Sequence, residues 1–470
     1  MNYIQTETNG QMMFTIERSK FLMIPSQLVG FHNFDTTLET TKSGRDLLCF
    51  KGSLDENFNR TCSVCDRKMH SHGSREISLR HLCFGSTLTV LKFAKFRLKC
   101  PHCGITRQQE VPFQAENHRI TIELFNYARD ILSHGTYTLR QVAEITGLDE
   151  NTIKAIDIKR LKEKYTVNGQ TLIKPEAYAE YLGIDEFKLH DGHKYATHII
   201  DLKTGHILWI AHGKKKKVVF DFIDHVGLEW MDHVEAIACD MNSDFQEAFE
   251  AKCPHIQPVF DYFHIVKNFN DKVVSEVRKD EQCRLAKEGN VDAARALKRT
   301  KYILTSSRAT LERKDREARD GKVISRASKL FNKEEITRKE GYLTKYEDLL
   351  EQNKLLFTVD LVKEKLTEAY QAESEPVMAI LISDIMDICK ATGNKHFLWF
   401  QRLLDSHFEG IIAHATFKLS SGKIEGINNK IKTLRRQGYG YPDDEYFFLK
   451  LFDISRKRYV RNIPSHKILE

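Results

Sequence analysis

Two C-x-x-C pairs constrain this chain more than any other feature. Cys62-Ser-Val-Cys65 is followed, 35 positions after Cys65, by Cys100-Pro-His-Cys103-Gly104. Four thiolates at the ends of a hairpin-like run, Leu82 to Leu98, form the ligand set of a tetrahedral structural zinc site. Such a site ties residues 58–113 into one module. Gly104 allows the tight turn that aims amide groups at sulfur. The alternatives are a redox pair, which needs only one C-x-x-C at a strand-to-helix junction, or free buried cysteines. His70, His72, His81, His102 and Cys83 are the neighbours able to replace one ligand. Lys92, Lys95, Arg97, Lys99 and Arg107 are interleaved with apolar residues, so one strand face is expected to be basic. The N-terminus, MNYIQTETNGQMMF, has no basic start followed by an apolar run. Secretion and disulfides are therefore not expected, and the cytoplasm is the expected compartment.

A chain of 470 residues has room for about three or four domains. Hydrophobic residues make up 41% and charged residues 29%, which suits a soluble globular protein. No segment reaches the ~18 consecutive apolar residues of a membrane span, so no membrane partner is expected. The net charge of +7 is modest, but Lys and Arg are clustered, and clustering is what a polyanion partner requires. Residues 1–57 are weakly patterned; helix plus strand packed on the zinc module is the expectation, with the role open. Residues 114–165 read as helices. Ala143, Gly147 and Ile153 fall at offsets 0, +4 and +10. A small residue for close approach, a turn glycine and an aliphatic core residue make the helix-turn-helix pattern. An ordinary helical hairpin is the plainer alternative. On the second helix, Asn151, Thr152, Lys154, Asp157 and Lys159 are expected to be exposed, with Asn151, Thr152, Lys154 and Lys159 as candidate DNA contacts. Residues 166–180 read as a linker.

Residues 181–267 have the alternation and β-branched content of a mixed α/β domain. An apolar strand ends in Asp185 and Glu186. Two further strands follow, Tyr195–Asp201 and His206–Ala211, joined by a turn at Lys203, Thr204 and Gly205. After a helix near Val218–Val226, a short strand, Val234–Cys239, delivers Asp240. Either aspartate alone reads equally well as a helix cap; two together suggest a paired site. Strand Ile256–Phe260 then leads to a helix opened by Asp261, where capping its own helix is the simpler reading. His264 and Lys267 share roughly one side of that helix and are candidates for holding phosphate. Residues 268–420 read as a helical insertion, with Lys298–Lys333 as a solvated connector. Residues 421–470 hold a helix carrying Glu425, Asn428, Asn429, Lys432, Arg435 and Arg436 around an apolar stripe of Ile424, Ile427, Ile431 and Leu434. Glu425 and Asn429 share a face at i, i+4. Asn429, Lys432, Arg435 and Arg436 are candidate DNA contacts. A final helix from Glu445 to about Arg458 ends in a basic tail.

Three acids thus stand out: Asp185, Asp240 and Glu425. Clustered carboxylates disfavour one another's ionisation, and divalent cations remove that cost. Hard oxygen ligands suit Mg²⁺ or Mn²⁺, and a pair of ions can activate a water or a 3′-hydroxyl and stabilise the leaving oxygen.

The text G-I-D185-E-F…G-H-K-Y-A-T, A-C-D240-M, D261-Y-F-H264-I-V-K and E425-G-I-N-N-K-I-K resembles the transposases of the ISL3 insertion-sequence family. The cysteine module and the helix-turn-helix match as well, so the resemblance covers about residues 45 to 460. It implies an α/β fold: an RNase H-like catalytic core interrupted by a long all-helical insertion, preceded by a zinc-binding module and a helix-turn-helix domain. It implies a D-D-E triad in which Asp185 bridges two metals while Asp240 and Glu425 hold one each. Water then attacks a phosphodiester for cleavage, and the freed 3′-hydroxyl attacks target DNA for strand transfer. The partners implied are double-stranded DNA, as terminal inverted repeats and as target, and a second copy of the chain, since two ends must be held; location would be the prokaryotic cytoplasm, at the nucleoid. The first 45 residues align with no family feature. The competing functions are a metal-dependent nuclease without strand transfer, a zinc/helix-turn-helix regulator with an inert core, and a small-molecule metalloenzyme that would not need two DNA-binding modules.

Overall fold

The computed structural model describes residues 4–8, 11–15, 28, 30–55, 60–192, 194–241, 243–326 and 335–457. The chain divides into two compact units, one formed by residues up to Leu172 together with Gln437–Asp453, the other by Ile173–Arg436 with the remaining C-terminal residues.

The first unit is built on a five-stranded sheet. Its strands are β1 (Phe31–Thr40), β2 (Asp46–Leu54), β3 (His70–Phe84), β4 (Thr87–Lys99) and β5 (Thr106–Gln108). The order is β1-β2-β4-β3, with β5 also paired to β4; β2 and β4 run parallel. Residues 31–54, expected to be helix plus strand beside the cysteine module, are instead two strands of its sheet. Their apolar positions meet those of the module in one core, where Phe31, Phe93 and Phe113 pack edge to face at 5.7–6.0 Å.

Helices α1 (Ile122–Ser133), α2 (Leu139–Thr146) and α3 (Glu150–Tyr165) follow. Each starts at a side chain that accepts an otherwise orphaned amide hydrogen: Thr121, Thr138 with Gln141 completing a capping box, and Asp149. Gly147 ends α2 at φ 68° and donates its N–H to Ala143 at 2.8 Å. A Cβ there would lie 2.5 Å from Leu88 Cδ2 and 2.8 Å from Arg80 Nη2, so both conformation and space demand glycine. Val142, Ala143, Ile153 and Ile156 form a core with α1. Beyond α3, Thr166–Val167 and Thr171–Leu172 pair as a small hairpin within the expected linker.

One expectation for α3 fails. Asp157 is not exposed but fully buried. It accepts from Arg160 Nη2 (2.7 Å), Tyr446 Oη (2.7 Å) and Lys450 Nζ (3.0 Å). The latter two lie on α8 (Asp444–Ser455), whose Asp453 also takes Arg160 Nη1 at 3.1 Å and Tyr165 Oη at 2.8 Å. A polar face of α3 that looks solvated in sequence is therefore covered by a helix from the other end of the chain. The basic tail expected from Arg458 lies outside the described residues.

The second unit centres on a sheet of β6 (Tyr181–His190), β7 (Lys194–Asp201), β8 (Ile207–His212), β9 (Ala236–Ala238) and β10 (Gln257–Val259). The order is β8-β7-β6-β9-β10. The first three strands form an antiparallel meander; β9 and β10 run parallel to β6. Because strand side chains alternate, Leu182 and Ile184 face one side, into a core with Phe222 and Ile223 of α4 (Lys216–Val226) and Phe245 and Phe249 of α5 (Ser243–Lys252). Gly183 and Asp185 face the other side. There Ile424 of α7 (Gly422–Gln437) packs so closely that a Cβ on Gly183 would sit 2.9 Å from it.

Between α6 (Tyr262–Phe269) and α7 lies the insertion, whose apolar faces, Leu356, Ile382, Phe397 and Phe400 among them, join the core of the sheet. Among its described residues the secondary structure is helical except for an antiparallel hairpin of Val323–Arg326 with Glu335–Thr337, so the expected all-helical character does not hold there. Nor is the stretch from Lys298 a solvated connector up to Arg319. Leu304 and Leu311 are fully buried, and Arg308 Nη2 binds Asp360 at 2.6 Å. No helix among the described residues is long and apolar enough to cross a membrane.

Candidate functional site

In the first unit the four cysteines converge. Their sulfur atoms lie within 4.8 Å of one another, with Cys62–Cys103 at 3.4 Å and Cys65–Cys100 at 3.5 Å. A tetrahedron with Zn–S bonds of ~2.3 Å has sulfur–sulfur edges of ~3.8 Å, so the donor set and its spacing fit zinc. The two knuckles have the same construction. Asp66 and Gly104, at φ 55° and 71°, close the turns that bring Asp66 N–H to Cys62 O and Gly104 N–H to Cys100 O. Arg107 of β5 donates to Thr61 O at 2.9 Å and so ties one knuckle to the other. The amides of Val64 and Cys65 draw the Cys62 thiol down, and that of Cys103 draws Cys100 down to about 6. Two of the four are thus drawn towards the thiolate that binds a metal; against the amides of Arg67 and Ile105, burial and the neighbouring sulfurs push Cys65 up to about 12 and raise Cys103.

In the second unit the parallel register builds a row of acids. Gly183 pairs with Ala238, and Ala238 with Val259. Two residues further along each strand stand Asp185, Asp240 and Asp261. The first two are half-buried neighbours. Burial pushes the Asp185 carboxyl above the usual carboxylate range and the charge of Asp240 adds to this, against the pull of Asn428, the Glu186 amide and His264. Asp185 accepts from Glu186 N–H at 2.8 Å and from Asn428 Nδ2 at 2.6 Å. Asp240 accepts from Met241 N–H at 2.7 Å. The two bonds of Asp185 come from an amide side chain and a backbone N–H, neither of them a cation.

Glu425 is exposed on α7. It follows Ile424, which packs on Gly183, and precedes by three positions Asn428, which binds Asp185. Residues three apart share a helix face, so α7 docks on β6 on both sides of Glu425. Among the described residues no third carboxylate joins Asp185 and Asp240 within the 4.8 Å that gathers the cysteines. Asn428 was passed over in sequence in favour of Asn429, which is exposed; its i+3 spacing from Glu425 was the available signal. Its buried Oδ1 has no partner. The two adjoining aspartates and the orphaned buried carbonyl oxygen are hard oxygen donors of the kind that suits Mg²⁺ or Mn²⁺, and Glu425 stands on the helix that brings the last of them.

The other predicted contacts are distributed as follows. His264 is half-buried near Asp185, its Nδ1 buried without a partner; Lys267 is exposed. Arg435 donates to Lys188 O at 2.8 Å, while Lys432 and Arg436 are exposed. On α3, Asn151 is exposed, but Thr152 serves the cap at Asp149, Lys154 pairs with Asp443 at 2.9 Å, and Lys159 with Glu116 at 3.3 Å. Such partly exposed pairs are worth ~0–1 kcal/mol and can be exchanged for phosphate.

A mixed sheet carrying paired aspartates, preceded in sequence by a four-cysteine module, marks the class of protein. The model of a family described as "Transposase", that of the ISL3 elements, matches residues 182–451. This is more than half of the sequence, and the chain belongs to that family. It is similar to the transposase for insertion sequence element IS1001 of Bordetella parapertussis, 26% identical over 390 residues, covering 83% of this chain and 86% of that protein. It is also similar to the transposase for insertion sequence element IS1557 of Mycobacterium tuberculosis, 23% identical over 398 residues, covering 81% and 82%.

Proposed function

We propose that this transposase binds the terminal inverted repeats of its insertion sequence and performs metal-dependent cleavage and strand transfer at an RNase H-like centre made of Asp185, Asp240 and Glu425. The observation that carries this reading is the docking of α7 on β6, through Ile424 on Gly183 and Asn428 on Asp185. It brings the helix of the third acid to the edge where the parallel register sets the first two. The meander followed by two parallel strands supports the RNase H-like assignment.

When bound, a pair of Mg²⁺ or Mn²⁺ ions would activate the attacking oxygen and stabilise the leaving one. Asp185 and Asp240 would hold them, with Glu425 closing from α7. Asn428 orients the Asp185 carboxylate through its amide. His264, Lys267, Lys432 and Arg436 lie on the two helices that carry or flank the acids and would hold the DNA backbone. The cysteine cluster, with one Zn²⁺, and the α2–α3 pair would recognise the repeats, with Asn151, Thr152, Lys154 and Lys159 on α3. A dimer would hold both ends.

The test is cleavage of a labelled duplex carrying the element's terminal repeats, in Mg²⁺ or Mn²⁺. D185N, D240N and E425Q should each lose about 10³-fold or more in rate while still shifting the duplex in a gel. Wild-type cleavage by E425Q would remove that residue from the triad. Binding without any metal-dependent cleavage by the wild type would instead mark an inert core, and cleavage without joined products a nuclease.

A further inference from the structure

Asp261 stands in the same register row as Asp185 and Asp240, yet it is used differently. It is only 9% exposed. It occupies the N-cap position of α6 but makes no side-chain bond to that helix, against the sequence expectation that it caps its own helix. Its Oδ2 instead accepts the N–H of Ser421 at 2.9 Å and also the Ser421 hydroxyl. Ser421 immediately precedes α7, and its carbonyl accepts the N–H of Glu425 at 2.9 Å. An unbroken hydrogen-bonded path therefore runs from the Asp261 carboxylate to the backbone of Glu425.

We infer that Asp261 is a positioning residue for Glu425: it clamps the start of α7 and so sets the third carboxylate against the Asp185–Asp240 edge. The inference rests on the triad proposed above. Three physical points support it. A negative charge at the start of a 16-residue helix complements the helix dipole. Ser421 is itself only 9% exposed, so without Asp261 its amide would be left buried and unpaired, which is costly. And Oδ2 of that carboxylate already accepts two donors, both from Ser421. The pair has a second consequence. Asp261 and Ser421 are 160 positions apart, and the whole insertion leaves and returns between them. The same root is pinned by Phe260, whose N–H donates to Gly410 O at 3.0 Å and whose carbonyl accepts from Tyr370 Oη at 3.2 Å. The Asp261 carboxylate thus ties the start of the insertion to its end, at the root of the helix that carries Glu425.

The experiment measures cleavage rate of the full-length protein on the repeat duplex across a Mn²⁺ titration, with gel-shift affinity as control. D261A should lower the rate about 10–100-fold, the range for groups that orient metal ligands, and raise the Mn²⁺ concentration for half-maximal rate. Duplex affinity should not change. S421A keeps the amide bond and should shift both readouts the same way by less; S421T should restore them. D261A combined with S421A should be no worse than D261A alone. A D261A protein with wild-type rate and Mn²⁺ requirement overturns the inference. So does one that is inactive at every Mn²⁺ concentration while S421A is normal, because that marks a direct ligand. Should D261A fail to fold, as judged by circular dichroism, the S421A and S421T pair decides on the same criteria. Wild-type cleavage by E425Q would sink the triad itself and is read separately.

Discussion

Asp157 in the first unit and Asp185 in the second are both carboxylates withdrawn from water, and their surroundings are opposite. Asp157 is fully buried with a guanidinium, an ammonium and a phenol around it. Asp185 receives an amide side chain and a backbone N–H, and its near neighbour is a second carboxylate. The first is a finished ion network; the second is an anionic site that protein groups alone leave uncompensated. In the proposed function a bound cation would supply the balance there. The cysteine cluster is a third case: four potential thiolates with backbone amides aimed at them and a spacing that fits zinc.

The comparison can be broken most severely at the cysteines. Stripping metal with a strong chelator, or replacing Cys62 and Cys100 by Ser, should unfold the sheet region around the knuckles. Zinc contributes on the order of 10 kcal/mol to small modules of this kind. One zinc per chain by elemental analysis and a metal-dependent melting transition are expected; a cluster free of zinc with unchanged melting would show that the sulfurs only pack.

Next in size is the contrast between the two aspartates. D157N should destabilise by about 3–5 kcal/mol, because it leaves buried cations with one acid fewer. D185N in metal-free buffer should do the reverse and raise the melting temperature by about 1–3 °C, since burial and Asp240 already disfavour its charge. Calorimetry of both variants decides; a loss of stability in D185N would mean that Asp185 is a structural acid like Asp157.

The smallest effect concerns His198, directly across from Asp185 on β7. It is fully buried with neither ring nitrogen bonded, and burial pulls it down to about 4. An unfolded histidine titrates near 6.5. As pH falls from about 6.5 to about 4, the unfolded chain takes up a proton that the folded chain refuses, so stability is lost across that window. The loss approaches ~3 kcal/mol at its lower end. H198Q should flatten that part of a melting-temperature profile recorded in chelator, and an unchanged slope would refute the assignment.

What the sequence disclosed was local. Paired cysteines announce a cluster because ligand chemistry and spacing are written side by side. Gly147 announces a turn because few other residues adopt its φ. Strand alternation placed Asp185 and Asp240 at strand ends, but only the parallel register shows them to be neighbours. What stayed hidden depends on partners far along the chain. Asp157 reads as surface because Tyr446 and Lys450, which bury it, lie 289 and 293 positions away. Asp261 reads as a cap for the helix it opens because Ser421 is 160 positions off. Asp46 to Leu54 carry no signal that their parallel partner is β4. Periodicity reports which face of an element avoids water; it does not report what covers a polar face.

The return of α8 onto α3 has a consequence for synthesis. A ribosome that has released residue 165 must translate as far as Asp453 before Asp157 and Arg160 meet their partners, a wait of about 15–60 s at ordinary elongation rates. Throughout that interval the charged face of α3 lacks the helix that covers it. A truncated product, or a chain cut short by a frameshift in the insertion, would never match them. Completion of this amino-terminal helix is thus deferred until Glu425, the third acid of the proposed triad, has already been made.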